Sequence, residues 1–445
     1  MQTSSRRIAL ATVGLLAALV LCAVFGFRLG RALGWLRPAA PRAEVAMAQS
    51  AYVWQRAWNG PVQHAVEAHA PEFDAGLVAL GAEIAWKDGA PQHVTVDLDH
   101  ALLARGRGGA GVALRIGPCP KALLAEPDTI AYIVGVARTV LASARADGWE
   151  PTELQLDFDS ATSRLADYRR WVERIAAEVH PTPVTITVLP TWMSSGEFGP
   201  LVDATDGFVL QVHSVEKAAI ESDAPTLCDA ASAIAWTERA AHYGKPFRVA
   251  LPTYGYIAVF ADDGSLKGLV AEAGSALLET GARVREVRAE AGAMAELVAQ
   301  WSRARPAAMQ GIVWYRLPVE GDRLNWSWPT LARVMRGEEP RPALRTVVAQ
   351  RADGLAEIVC VNEGDAEATM PRRIEVSWSP ERALLAGDGL AGMEWSRGQE
   401  GSARFVRVVD GPSARVRPDE RRLLGWIRLD GRSEVVAHES ADEAE

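Results

Sequence analysis

The string Leu154-Gln155-Leu156-Asp157-Phe158-Asp159 is where residue type and spacing point most directly to chemistry. In an extended strand alternate side chains share a face, so Gln155, Asp157 and Asp159 point one way while Leu154, Leu156 and Phe158 point the other. Two carboxylates on one face are costly to bury without partners. Paired acids whose proton affinities differ are what hydrolysis of a glycosidic bond requires. A structural role competes with this one: Asp159 as a helix cap, or both acids paired with an arginine such as Arg115. Further candidates for a proton-transferring group close other apolar runs, namely Glu83, Asp99, His213 and, beyond it, Glu216. Each has a plain alternative, an ion pair for Glu83, a solvated hairpin for Asp97 and Asp99, a surface loop for Glu216 and a satisfied core histidine for His213.

Binding groups fall at the same strand ends. Trp54, Trp58, Trp86, Trp192, Tyr254, Tyr256, Trp314 and Tyr315 lie at or just beyond them, where exposed rings stack on pyranose faces, although any single ring is an ordinary core residue. Gln55, Arg115, Gln155 and Gln211 supply polar contacts from the same strands. No metal is expected, because nothing fixes Asp97, Asp99, Asp157 and Asp159 around one cation, and no cofactor fingerprint is present.

Positioning these groups requires a scaffold that gathers strand ends. From residue 50 to 338 the chain alternates short runs of Val, Ile and Leu with amphipathic stretches, the pattern of a parallel sheet covered by helices. Eight principal runs occur: Tyr52 to Gln55, Gly76 to Leu80, Val112 to Ile116, Leu154 to Asp159, Val184 to Leu189, Phe208 to His213, Arg248 to Leu251 and Gly311 to Tyr315. Eight closes a (β/α)8 TIM barrel, whose reactive groups gather at the C-terminal strand ends. A doubly wound sheet is the alternative, but no glycine-rich nucleotide turn follows any strand. A ninth run, Val94 to Asp99, is expected to pair with its predecessor through the Lys87-Asp88-Gly89 turn. Residues 339–436 alternate in short runs split by Gly, Asp, Asn and Pro, which predicts a small all-β, sandwich-like domain. The acidic tail 437–445 reads as disordered.

Residues 1–49 address the chain. An apolar run from Ile8 to Phe27 follows Arg6-Arg7, and about 20 such residues span a bilayer as a helix. Arg37 to Gln49 is a linker rich in Ala and Pro. We therefore expect an envelope protein, anchored in the inner membrane through this helix and facing the periplasm, or released there after cleavage near Ala46-Met47-Ala48. The net charge of -9 argues against a nucleic-acid partner, which requires a basic face. Cys22, Cys119, Cys228 and Cys360 lack zinc-ligand spacing and are too few for a dense disulfide framework.

The string Leu-Gln-Leu-Asp157-Phe-Asp159-Ser-Ala161 resembles the strand-four motif of the chitinase-like family eighteen glycosidases, Asp-x-x-Asp-x-Asp-x-Glu. Leu251-Pro252-Thr253-Tyr254-Gly255-Tyr256 is similar to that superfamily's strand-seven segment, and Gly311-Ile312-Val313-Trp314-Tyr315 to its strand eight, which ends in an aromatic floor for the sugar. The match is closer still to the uncharacterised bacterial domain-of-unknown-function family 3142, which would include the C-terminal domain. The resemblance implies a glycoside-hydrolase barrel in which Asp159 polarises or orients a sugar. The departure falls on the essential acid: Leu154 stands at the first aspartate and Ala161 at the glutamate that protonates the leaving group. Three readings stay open: a hydrolase of envelope or extracellular polysaccharide, a glycan-binding barrel without catalysis, and a structural envelope module. The partner expected in the first two is a polysaccharide or oligosaccharide.

Overall fold

The computed structural model describes residues 41–43, 45–214, 226–270, 283–409 and 411–439. The chain divides into two compact units, Met1–Pro41 and Arg42–Glu445. The run from Ile8 to Phe27 lies outside the described residues, and no helix among those residues is long and apolar enough to cross a membrane.

The second unit opens with β1 (Ala48–Val53), α1 (Gly60–His69), β2 (Leu77–Lys87), β3 (Ala90–Thr95), α2 (His100–Ala104), β4 (Ala110–Ile116), α3 (Pro127–Ala146), β5 (Leu154–Phe158) and α4 (Leu165–Val179). It continues through β6 (Val184–Val188), α5 (Phe198–Asp203), β7 (Gly207–Gln211), α6 (Ala230–Ala241), β8 (Phe247–Pro252), β9 (Gly255–Phe260), β10 (Leu266–Val270), β11 (Arg283–Arg288), α7 (Ala291–Arg303), β12 (Met309–Tyr315) and α8 (Trp328–Met335). The hydrogen-bonded order β1-β12-β8-β7-β6-β5-β4-β2 returns to β1 through a β1–β2 pairing, which closes eight parallel strands into a barrel. Strands buried on both faces read as continuous apolar runs, which is why periodicity found them. The helices around them are amphipathic. In α4, Leu165, Tyr168, Trp171, Val172, Ile175 and Val179 are buried at three- and four-residue spacing. Asn59, Asp99 and Asp229 cap α1, α2 and α6 by accepting backbone N–H bonds.

The extra strand exists but sits earlier than expected. Asp88 and Gly89 adopt φ of +51° and +81°, a turn matched to the twist of a two-residue hairpin, so β3 pairs antiparallel with β2 from Lys87↔Ala90 to Ala82↔Thr95. It ends at Thr95, leaving Asp97 in a loop and Asp99 as the cap of α2. Between β8 and α7 lies an insertion of antiparallel strands in the order β10-β9-β11.

The C-terminal region comprises β13 (Leu344–Gln350), β14 (Leu355–Asn362), β15 (Ala368–Thr369), β16 (Arg373–Trp378), β17 (Leu384–Gly389), β18 (Met393–Arg397), β19 (Ser402–Arg407), β20 (Arg415–Val416), β21 (Arg421–Leu429) and β22 (Val435–Glu439). Two four-stranded antiparallel sheets, β13-β14-β21-β17 and β18-β19-β16-β22, enclose one core that includes Ile358, Cys360, Ile374, Val376, Phe405, Leu424 and Ile427. Alternating burial along β16, with Ile374, Val376 and Trp378 inward, is the period-two pattern of a half-buried strand. Polar contacts fasten this region to the barrel: Arg417 donates to the carbonyls of Asp322 at 3.1 Å and Asn325 at 3.0 Å, and Thr330 to that of Asp365 at 2.8 Å. Cys119, Cys228 and Cys360 are free thiols.

Candidate functional site

β5 runs between β4 and β6 in a register that sets Arg115 beside Asp157 and Thr185 beside Gln155. Asp157 points into the barrel near its C-terminal end. Its Oδ1 accepts from Thr187 Oγ1 at 2.8 Å and Gln211 Nε2 at 3.3 Å, while Oδ2 takes no hydrogen bond among the described residues. Burial pushes its pKa up and the charge of Asp159 adds to that, against the opposing pull of the two hydrogen bonds and Arg115. Asp159, two residues on, stands exposed at the rim with no hydrogen bond or ion pair among the described residues. The surrounding walls still remove enough water to raise its pKa, opposed by Arg115.

Both carboxylates open into a cavity of about 440 Å³ at the barrel mouth. Its aromatic floor is a mesh of rings: Tyr52 meets Trp54 edge-on at 5.1 Å between centroids, Trp54 meets Tyr315 at 5.5 Å, and Tyr254 meets Tyr315 at 5.4 Å. His213 stacks on Tyr315 at 5.5 Å and 25°, with its Nδ1 3.5 Å from the Tyr254 hydroxyl. Burial lowers the His213 pKa to about 4, so the ring is neutral at pH 7. Trp54 and Tyr254 are 4% and 6% exposed, so only part of each ring reaches the cavity. The peptide between Tyr315 and Arg316 is cis.

Beneath this floor a polar column fills the barrel. Tyr52 Oη donates to Gln155 Oε1, Gln155 Nε2 donates to Thr185 Oγ1 at 3.3 Å, and Thr185 Oγ1 donates to Glu153 Oε2 at 2.6 Å. Arg248 Nη2 closes the column on both Glu153 oxygens at 2.6 Å. The Glu153 and Arg248 charges of this column thereby compensate each other, as burial demands.

The structure gathers Asp157, Asp159, His213, Trp54, Arg115, Gln211, Tyr254 and Tyr315 around the cavity. It sets the other candidates elsewhere. Glu83 is held by Arg56 and lies 3.8 Å from Arg115, outside the cavity lining. Gln155 is wholly buried in the polar column. Trp192 is 1% exposed, spent on Ser160 O at 3.0 Å and on the edge of Tyr168. Trp314 is buried outward, donating to Gln49 Oε1 at 2.9 Å, because strand alternation lets only one of Trp314 and Tyr315 face the axis. Tyr256 is buried in the β9 insertion, and Gln55 is half-buried but does not line the cavity. Asp97 and Asp99 play no part in it, and Glu216 lies outside the described residues. Among the described residues no group of three or more His, Cys, Asp or Glu side chains could hold a metal ion. Sequence reasoning missed Tyr52 and Thr187. Alternate threonines in Val184-Thr-Ile-Thr-Val188, a strand otherwise wholly apolar, were the available signal.

These features define a β/α-barrel protein with an acidic, ring-lined mouth. Residues 121–320 match the family described as domain of unknown function DUF3142, and residues 345–430 the one described as domain of unknown function DUF8456. No curated protein matches. Among solved structures, the Bacillus cereus spore cortex-lytic enzyme SleL is 13% identical with a TM-score of 0.45, covering 67% of this chain and 75% of its own. A chitinase from Chromobacterium violaceum is 15% identical with a TM-score of 0.45, covering 66% of this chain and 99% of its own. A family 18 N-acetylglucosaminidase from Paenibacillus barengoltzii is 10% identical with a TM-score of 0.39, covering 61% and 95%. At these scores the likeness carries no inference about what the chain does.

Proposed function

We propose that the barrel mouth binds a polysaccharide chain at the cell envelope, with the Trp54, Tyr254 and Tyr315 rings as a stacking floor and Asp157 and Asp159 gripping hydroxyl groups. One observation carries this reading: the two aspartates open into a ring-lined cavity of about 440 Å³ with three of their four oxygens unbonded among the described residues. Carboxylate oxygens accept from sugar hydroxyls, and the rings bury the apolar faces of a pyranose. The envelope setting rests on the apolar run from Ile8 to Phe27.

Hydrolysis is the second reading, and the raised pKa values of both acids favour it. A carboxyl whose pKa is raised holds its proton more readily and can give it to a glycosidic oxygen, while a second carboxylate takes one from the attacking water. Against it, Ala161, the cap of a short 3-10 turn, puts a methyl group where the leaving-group acid would stand, and Asp157 in β5 and Asp159 just past its end are two residues apart rather than across the groove. Binding is therefore the conclusion, and cleavage the extension to be tested.

The full-length protein and Asp159→Asn should be compared on a panel of cell-wall and exopolysaccharides, scoring both retention and release of reducing ends. Binding predicts retention that falls about tenfold in the variant, a loss of about 1.4 kcal/mol. Reducing ends released by the wild type and not by the variant would establish the hydrolase. A wild type that retains no glycan, or a variant that retains it equally well, refutes the proposal.

A further inference from the structure

A second cavity, about 490 Å³, lies where α1, the loop between β12 and α8, and the start of the C-terminal sheets meet. Nothing in the mouth site uses it. One wall is aromatic: the half-buried His69 ring lies flat on Trp328, with centroids 3.7 Å apart and planes 9° from parallel. Phe73 braces Trp328 edge-on at 6.0 Å. His69 is kept neutral at pH 7, its pKa lowered to about 4 by burial and by neighbouring His64.

The opposite wall is cationic. Arg288, Arg415 and Arg417 are locked in place by carboxylates and carbonyls: Arg288 Nη1 lies 3.0 Å from Glu367, and Arg415 Nη1 lies 3.0 Å from Glu286. Arg417 donates to two main-chain carbonyls. Arg323 also lines the cavity, is exposed, and has no side-chain partner among the described residues, while Arg288 fixes its backbone by donating to its carbonyl. Acidic groups are present as well. Glu420 is taken by Arg422 at 2.6 Å, and Glu320 and Asp419 stand exposed, able to accept from hydroxyls. A rigid ring, neighbouring acceptors and one unspent guanidinium complement a pyranose bearing a carboxylate, since Arg binds carboxylates through two parallel N–H bonds.

We propose that this interdomain cavity is a second saccharide site, selective for acidic, uronate-containing glycans, with Arg323 as the carboxylate clamp and the His69–Trp328 pair as the stacking platform. The choice of a glycan rests on the reading of the mouth as a saccharide groove, but the two sites are separable by experiment.

Calorimetric titration of the full-length protein with a defined oligouronate and with a neutral gluco-oligosaccharide of equal length distinguishes them, using wild type, Arg323→Gln, His69→Ala and Asp159→Asn. Arg323 is exposed, so its replacement leaves the fold intact. The expected result is about a tenfold loss of oligouronate affinity in Arg323→Gln and His69→Ala, none in Asp159→Asn, and further weakening of the wild type as salt screens the ion pair. Oligouronate binding that is absent in the wild type, unaffected by both Arg323→Gln and His69→Ala, or abolished only by Asp159→Asn overturns the proposal. Neutral-glycan affinity insensitive to Asp159→Asn sinks the mouth reading instead.

Discussion

Replacing Asp157 by Asn should stabilise the protein at neutral pH, a consequence of holding a charge where the barrel cannot solvate it. Asparagine keeps the side-chain oxygen that accepts from Thr187 and Gln211, and its volume is nearly the same, so no cavity opens. What disappears is the desolvation of a carboxylate and its repulsion by Asp159, the two causes that raise the Asp157 pKa. The attraction of Arg115, a half-exposed residue paired with Glu83, is lost too, but such contacts contribute little. A tenfold change in proton affinity corresponds to about 1.4 kcal/mol, so a gain on the order of 1 kcal/mol is expected. The sign follows from linkage: a carboxyl whose folded pKa is raised binds its proton more tightly in the folded state, so stability is lost as pH rises from the unfolded value of about 3.8 through the folded one. The advantage of Asp157→Asn should therefore vanish below about pH 4 and grow as pH rises above it. Thermal unfolding followed by circular dichroism from pH 3.5 to 8 measures it, with an upward shift of a few degrees expected at pH 7. A variant that melts at or below the wild type at pH 7, or a gap that does not close in acid, refutes the account of the site's electrostatics.

Two further outcomes separate scaffold from site. Trp192→Ala should cost about 3–5 kcal/mol by emptying a filled core position, yet leave glycan affinity unchanged at temperatures where the variant is folded, whereas Tyr315→Ala should weaken glycan binding about tenfold; thermal melts and titrations on both variants check this. Arg248→Met should destabilise by about 3–5 kcal/mol because it leaves Glu153 charged and unpaired inside the barrel, and the double variant Glu153→Gln with Arg248→Met should recover most of that loss in denaturant unfolding.

The barrel was legible because its strands are buried on both faces, and burial leaves runs such as Val184 to Val188 that hardly admit another reading. Parity within those runs was equally informative: it placed Asp157 inward with Gln155. Depth along the strand was not legible. Gln155 shares a face with Asp157 but sits one layer lower, where Tyr52 and Thr185 consume it. Trp192 follows a strand as Tyr254 does, and only its packing against Tyr168 and Ser160 decides that it is core. Glu83 shows the same limit, since Arg56 comes to it from another loop.

The contrast between the two acid positions inside this barrel argues for a ligand more strongly than either does alone. Glu153 is buried with a bidentate arginine and a threonine hydroxyl, so its charge is matched by the fold itself. Asp157 and Asp159 are four and six residues farther along, in the same sheet, with arginine and threonine equally available to evolution, yet one oxygen of Asp157 and both of Asp159 are left without hydrogen bonds among the described residues. Unmatched carboxylates raise the free energy of the folded state and are retained where something outside the chain completes them. Solvent alone would complete exposed acids, but both pKa values are raised by desolvation, so water does not do so fully. Donors that arrive with a ring-stacking partner would, and the hydroxyls of a sugar seated on Trp54, Tyr254 and Tyr315 are donors of that kind.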